Sequence, residues 1–263
     1  MTRILHLTDL HFGFHRIELV GPLLTRIEEL RPDLIVISGD ITHRGLPAQM
    51  QQARHFLDRM TAPVMLMPGN HDIPLLNPVA RLFWPFSGYR DYFGPDLTPT
   101  VHTGQARVFA LNSADPFAWQ RGTIRSGEIG RVIGGLDRHS TNIVALHHPM
   151  QQLPGIDKAP ARRSAEALRR LEEAGAHVIL SGHLHRWAVD KVLATGKHPR
   201  LLQIQGGTAL CARVSDLRNE FALLTINGTQ VQVERHISPM GMNAFEEPLV
   251  AVYSRATGVW RRV

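Results

Sequence analysis

The chain has 263 residues, 43% of them hydrophobic and 20% charged, with a net charge of +6. That balance is ordinary for a soluble globular protein with a real core, and the length fits one large α/β domain or two small ones. No run approaches the roughly 18 apolar residues a membrane span needs, so no membrane partner is expected. The N-terminus enters a strand at Ile4 to Thr8 with no signal-peptide pattern, and a cytoplasmic location is the corresponding expectation. A helix from about Arg16 to Leu30 follows, closed by Arg31-Pro32. Then come a strand at Leu34 to Ser38, an amphipathic helix at Ala48 to Met60 and a strand at Val64 to Met67. Pro74 to Pro99 interrupts this alternation with six aromatics between Phe83 and Phe93, out of the 17 in the chain. Alternation resumes with a short helix at Glu128 to Arg138, a strand at Ile143 to Leu146, a helix at Ala161 to Ala174 and a strand at Val178 to Ser181.

After His185 the texture changes. Trp187 to Ala194, Arg200 to Gln205, Glu220 to Ile226 and Gln230 to His236 are short β-like segments. Asn227-Gly228 signals a hairpin between the last two. The strand–helix alternation implies a largely parallel sheet, and the later segments a second, mostly antiparallel sheet packed on it. The fold class expected is α/β, a two-sheet β-sandwich flanked by helices. Residues 1–237 read as the main domain, 74–100 as an aromatic-rich lid with its own small core, and 238–263 as a tail. That tail packs on the body or on a partner subunit, which leaves a homo-oligomer open. The single cysteine, Cys211, excludes an internal disulfide and any cysteine-based metal site, and reads as a small buried hydrophobe.

Each of five apolar runs ends in a polar cluster: Asp9-Leu10-His11, Gly39-Asp40, Gly69-Asn70-His71-Asp72, His147-His148-Pro149 and Gly182-His183-Leu184-His185. Strands of one sheet would deliver these side chains to its carboxyl edge, where α/β sheets bind ligands. Residues two apart at a strand end share a face, so Asp9 with His11 and His183 with His185 form chelating pairs. Asp40, Asn70 and one of His147 and His148 add further donors. A mixed carboxylate, amide and imidazole set suits Mn, Fe, Zn or a similar divalent ion. The donors are too many for one metal and fit two sharing a carboxylate, the arrangement that hydrolyses phosphate esters.

The ordered set D-x-H, G-D, G-N-H-[DE], H-x-P and G-H-x-H, running from Asp9 to His185, resembles the calcineurin-like metallophosphoesterase superfamily. The compact chain is similar to bacterial class III cyclic-nucleotide phosphodiesterases and glycerophosphodiesterase-like enzymes. The resemblance implies a four-layer αββα fold and two divalent metal ions as cofactors. By that resemblance Asp9, His11 and His185 hold the first ion, Asp40 bridges, and Asn70, His147 and His183 hold the second. His147 is preferred to His148 because the motif places the ligand two residues before the proline. His71 contacts the transferring phosphoryl group or protonates the leaving oxygen, and Asp72 caps the following helix or supports His71. One position departs from the pattern: His43 stands where many members carry an aspartate that supports the equivalent of His71. The implied activity is metal-dependent hydrolysis of a small phosphodiester, a cyclic nucleotide first, by in-line attack of a bridging hydroxide. A glycerophosphodiester or other phosphoester is the alternative. The scattered arginines argue against a nuclease, and the intact ligand set argues against a non-catalytic metal-binding scaffold.

Overall fold

The computed structural model describes residues 1–189 and 200–263. Strand β1 (Thr2–Leu7) leads to helix α1 (Ile17–Leu30), β2 (Leu34–Ser38), α2 (Pro47–Leu57) and β3 (Val64–Met67). Two short helices, α3 (Pro78–Phe83) and α4 (Ser87–Phe93), fill the aromatic segment. Then follow β4 (Thr100–Thr103), β5 (Ala106–Leu111), α5 (Ser126–Gly135), β6 (Thr141–Leu146), α6 (Ser164–Ala174), β7 (Val178–Ser181), β8 (Ala188–Val189) and β9 (Leu202–Gln205). The chain closes with β10 (Arg218–Asn227), β11 (Gln230–Pro239), β12 (Leu249–Ser254) and β13 (Arg261–Arg262). The rest of the strand expected at Trp187 to Ala194 lies outside the described residues.

Two mixed sheets result, one ordered β13-β12-β11-β10-β1-β2-β3 and the other β4-β5-β6-β7-β9-β8. β1, β2 and β3 are mutually parallel, as are β5, β6, β7 and β9. This corrects the expected division into a parallel and an antiparallel sheet. The late antiparallel strands extend the first sheet beyond β1, and the parallel strands are split between both. Hydrophobic runs identify buried strands but carry no signal for which distant strand each one pairs with.

The pleat explains why the early strands are apolar at every position. Ile4, Leu34 and Val36 join Val108, Ile143 and Val178 in the core between the sheets. Their neighbours Leu5, Leu7, Ile35 and Ile37 point the other way, against Leu23 and Ile27 of α1 and Phe56 of α2. On the second sheet Phe109, Val144 and Ile179 turn outward onto Val132 of α5 and Leu168 and Leu171 of α6. A strand covered on both faces has no polar face to show, and the layers stack as helix, sheet, sheet, helix.

Three details complete the fold, the first two of which differ from expectation. The aromatic segment has no separate core: Tyr89, 1% exposed, joins the cluster beneath α1 and α2, whereas Phe83 and Trp84 are 65% and 62% exposed. The hairpin turn is Gly228-Thr229 with Asn227 still paired to Gln230, so glycine takes the first turn position at φ 58°. The tail adds β12 and β13 to the first sheet, and Trp260 seals its end by donating from Nε1 to the His177 carbonyl (2.9 Å).

Candidate metal and catalytic site

The five clusters do converge, but from two sheets. Asp9, Asp40 and Asn70 follow β1, β2 and β3 of the first sheet, and His147 and His183 follow β6 and β7 of the second. Cross-sheet bonds hold the two edges in register. His147 Nδ1 donates to the Ser38 carbonyl (2.9 Å), and the His183 backbone N–H donates to Asp9 Oδ2 (2.9 Å). Asp9, His11, Asp40, His183 and His185 all adopt left-handed φ, between 50° and 74°. Non-glycine residues enter that region at a cost of order 1–3 kcal/mol each, and such strain clusters at functional sites. Two glycines permit the close approach. A Cβ at Gly69 would lie 2.2 Å from Asp40 Oδ1, and one at Gly182 would lie 1.8 Å from Thr8 Oγ1.

The hydrogen-bond inventory shows which atoms are free. Asp9 Oδ2 accepts from Thr8 Oγ1 (2.7 Å) and from the His183 N–H, while fully buried Oδ1 accepts from nothing. His185 commits Nδ1 to Asp216 Oδ2 (2.6 Å), leaving Nε2 3.1 Å from Asp9 Oδ1 and 3.1 Å from His11 Nε2. His147 commits Nδ1 to Ser38, leaving Nε2 3.2 Å from Asp40 Oδ2. The same Asp40 oxygen stands 3.7 Å from His11 Nε2. Asn70 spends Nδ2 on the Trp119 carbonyl (3.3 Å), which turns its buried, unpartnered Oδ1 the other way. His183 lies against His147, ring centroids 5.1 Å apart.

These atoms are lone pairs facing lone pairs in a buried setting, which is unfavourable unless a proton or a cation sits between them. The electrostatics agree. Burial opposes ionisation of Asp9 and Asp40, yet neighbouring imidazoles, His185 and His147 foremost, hold both carboxyls well below the usual range. Burial likewise opposes a charge on His147, but Asp40 raises it to about 9. Divalent ions satisfy the same atoms without asking imidazoles to stay protonated. The residues present therefore fit metal: the carboxylates of Asp9 and Asp40, the Asn70 amide oxygen and the imidazoles of His11, His147, His183 and His185 bring oxygen and nitrogen donors into one buried place.

His148 places Nδ1 2.9 Å from Ser113 Oγ, one of its ring nitrogens lies within 4.8 Å of ring nitrogens of both His147 and His183, and burial, with the charge of His147, pushes its pKa down to about 3. His71 anchors through its backbone N–H to Asp40 Oδ1 (2.9 Å), and its half-buried ring reaches the His43 carbonyl from Nδ1 (2.6 Å). The ring of residue 43 does not orient His71; its backbone does. The two rings only stack, 5.5 Å apart. Asp72 caps no helix. It accepts from the backbone N–H of Gly69, Ile41 and Thr42 and so pins the loop after β2 to the loop after β3. Burial and the charge of Asp40 lift its pKa to about 6.

Three contributors carried no legible signal. Asp216 lies on a short 3₁₀ turn (Val214–Asp216) more than 30 positions from the histidine it holds. Trp119 acts through its carbonyl, which any residue could supply. Cys211, expected to lie apart from metal chemistry, is fully buried with its sulfur and one nitrogen each of His11 and His185 all within 4.8 Å of one another. Among the described residues no helix is long and apolar enough to cross a membrane.

The family model described as calcineurin-like phosphoesterase matches residues 2–187, from β1 through the last polar cluster. A probable cyclic nucleotide phosphodiesterase of a Synechococcus strain is 27% identical over 165 residues, covering 61% of this chain and 60% of the relative. A cAMP/cGMP dual specificity phosphodiesterase of Mycobacterium tuberculosis is 28% identical over 209 residues, covering 69% and 61%. The chain thus spans about three fifths of the length of these two relatives. A glycerophosphodiester phosphodiesterase of Enterobacter lignolyticus is 36% identical over 78 residues, 26% of this chain and 28% of that one. Among solved structures, a purple acid phosphatase from yellow lupin superposes with TM-score 0.63 at 14% identity, over 95% of this chain and 53% of that chain. Vacuolar protein sorting 29 of Cryptosporidium parvum gives 0.52 at 16%, over 96% and 98%. Likeness at such identity speaks for the fold alone.

Proposed function

This chain belongs to the calcineurin-like phosphoesterase family, and on that premise we propose that it is a dinuclear metal phosphodiesterase acting on a small cyclic nucleotide. The observation that carries the reading is Asp40 Oδ2, one carboxylate oxygen within 3.2 Å of His147 Nε2 and 3.7 Å of His11 Nε2. It lies between the donors that follow the first sheet's strands and those that follow the second's, as a bridging ligand must. Asp9, His11 and His185 would hold one ion and Asn70, His147 and His183 the other, with Asp40 the ligand they would share. Mn, Fe and Zn suit such a nitrogen and oxygen set. Bound there, two ions supply Lewis-acid activation of water and neutralisation of phosphoryl oxygens.

The chain's own residues do the rest. His71, with Nδ1 donating to a carbonyl, has Nε2 left for the phosphoryl group or the leaving oxygen. Its backbone bond to Asp40 keeps that ring in step with the bridging carboxylate. Asp72 and the Thr42 hydroxyl (3.0 Å) hold the two loops that carry Asp40 and His71. Trp119, 64% exposed, stands at the loop that fixes Asn70.

Cyclic nucleotides come first because two relatives of broad coverage carry that activity in their names. The shorter, more identical match to a glycerophosphodiester phosphodiesterase supports the second reading. Steady-state assays with 3′,5′- and 2′,3′-cyclic AMP, glycerophosphoethanolamine and bis(p-nitrophenyl) phosphate, each with Mn, Fe, Zn or Mg, decide between them. Turnover of the bis-ester and the glycerol ester with neither cyclic nucleotide would shift the assignment to the second reading. No turnover of any ester with any metal would overturn the enzyme reading.

A further inference from the structure

Cys211 lies in the loop after β9, and its backbone is held from both sides. Its N–H donates to Thr208 Oγ1 (3.0 Å), and its carbonyl accepts from Asn219 Nδ2 (3.0 Å). Thr208 Oγ1 in turn donates to the Asp9 carbonyl (2.7 Å). The cysteine and the first of the strand-end aspartates are thus tied through one hydroxyl. The thiol is fully buried, in a cluster with His11 and His185 whose donor atoms lie within 4.8 Å of one another.

A second observation points into the same place. Asp9 Oδ1, on a side chain with no exposure, has no hydrogen-bond donor and sits 3.1 Å from His185 Nε2. His185 Nδ1 is already spent on Asp216. Two imidazole nitrogens and a sulfur therefore share one buried volume, with the unpartnered Asp9 carboxylate oxygen beside one of those rings. A thiol is too weak a hydrogen-bond donor to satisfy these buried atoms. A cation can.

Building on the proposed metal centre, we infer that Cys211 is a further protein ligand of the ion held by Asp9, His11 and His185, and that this position takes a thiophilic divalent ion. Thiolate selects zinc, ferrous iron or cobalt over manganese and magnesium. The step is a simple exchange: a metal–sulfur bond forms, the S–H bond breaks, the proton leaves to solvent, and no oxidation state changes. The second position, with its amide and imidazole donors, lacks sulfur. The two positions then differ in softness, and a mixed pair of ions is the expected content.

Cobalt titration of the metal-free protein, read by near-ultraviolet absorption, tests this. A thiolate-to-cobalt charge-transfer band should grow with one of the two equivalents, and the cadmium-113 resonance of the same position should lie downfield, where sulfur ligands place it. Cys211→Ser should still bind cobalt but lose the band and release about one proton fewer on binding. The cadmium-113 spectrum of the unaltered chain needs no variant, so a misfolded Cys211→Ser leaves the question answerable. Two equivalents bound with no charge-transfer band and no downfield cadmium signal would overturn the inference. A chain that binds neither metal would overturn it together with the metal centre. A band without hydrolysis of any phosphoester would leave it standing while the proposed function fell.

Discussion

His71 and His43 separate at the level of single atoms. The sequence pattern places a histidine where a supporting aspartate is usual, which on its face deprives His71 of a partner. The structure moves that support to the backbone, because His71 Nδ1 meets the carbonyl of His43 at 2.6 Å. Any residue at position 43 offers that carbonyl. His71→Ala should therefore lower kcat by roughly 10²–10⁴, the usual worth of a positioned acid or base. His43→Ala should keep kcat within a few-fold, and steady-state kinetics on bis(p-nitrophenyl) phosphate with saturating metal would show both. Equal losses in the two variants would return the supporting role to the His43 ring. Asp216 is the complementary case. Its carboxylate, 6% exposed, fixes the ring of His185 at 2.6 Å; with the proposed ion bound, the pair would form a carboxylate–histidine–metal relay that tunes ligand basicity. Asp216→Asn should weaken metal binding by roughly 10- to 100-fold, read by calorimetric titration, with far-ultraviolet circular dichroism unchanged.

Element by element, legibility follows from how local the signal is. β1, β2, β3, β6 and β7 announced themselves as apolar runs ending in polar clusters, because a strand covered on both faces needs uniform hydrophobicity. Helices α1 and α6 fall within a few residues of the expected Arg16 to Leu30 and Ala161 to Ala174. The pairing of β10 with β1, which assigns the late strands to the first sheet, joins residues some 220 positions apart and leaves no local trace. The left-handed φ of Asp9, His11 and Asp40 is equally silent, since aspartate and histidine do not advertise it as glycine does. Glycine is the readable part of that geometry, and two glycines predict opposite outcomes. At Gly182 an added Cβ would press on Thr8 Oγ1 at 1.8 Å and Asp9 Oδ2 at 2.7 Å. Gly182→Ala should lose metal, measured by elemental analysis, and cost about 1–3 kcal/mol in a denaturant melt. At Gly130, inside α5, an added Cβ meets nothing within 4 Å. Gly130→Ala should retain full metal content and gain roughly 0.5–1 kcal/mol.

Over the whole molecule, buried histidines outside the proposed ligand set make the fold sensitive to acid. Burial drives His236 down to about 4, aided by the charges of Arg26 and Arg3, although Glu234 stands 3.7 Å from its Nε2. Its ring stacks on Phe221 at 4.7 Å and 6°, where a charged imidazolium would lose its water. His177 is held at about 4 by burial and Arg255, and His6 at about 4 by burial despite Asp9. Each of these groups takes up its proton near pH 6.5 once the chain unfolds, but only near pH 4 while folded. Between those values the unfolded chain binds more protons, so stability is full above about pH 6.5 and declines as pH falls toward 4. Chelated protein is the material to test, because acid also strips metal from imidazole ligands and would mix the two effects. Its thermal midpoint should drop between pH 7.5 and pH 5, with His236 responsible for on the order of 1–2 kcal/mol of the decline. For a chain of this size each kcal/mol moves the midpoint by about 2–4 °C. His236→Gln removes one titrating group while keeping a polar side chain of similar reach. It should start lower at pH 7.5 yet fall less on going to pH 5, and a slope equal to that of the unaltered chain would exclude His236 as a source of the acid sensitivity.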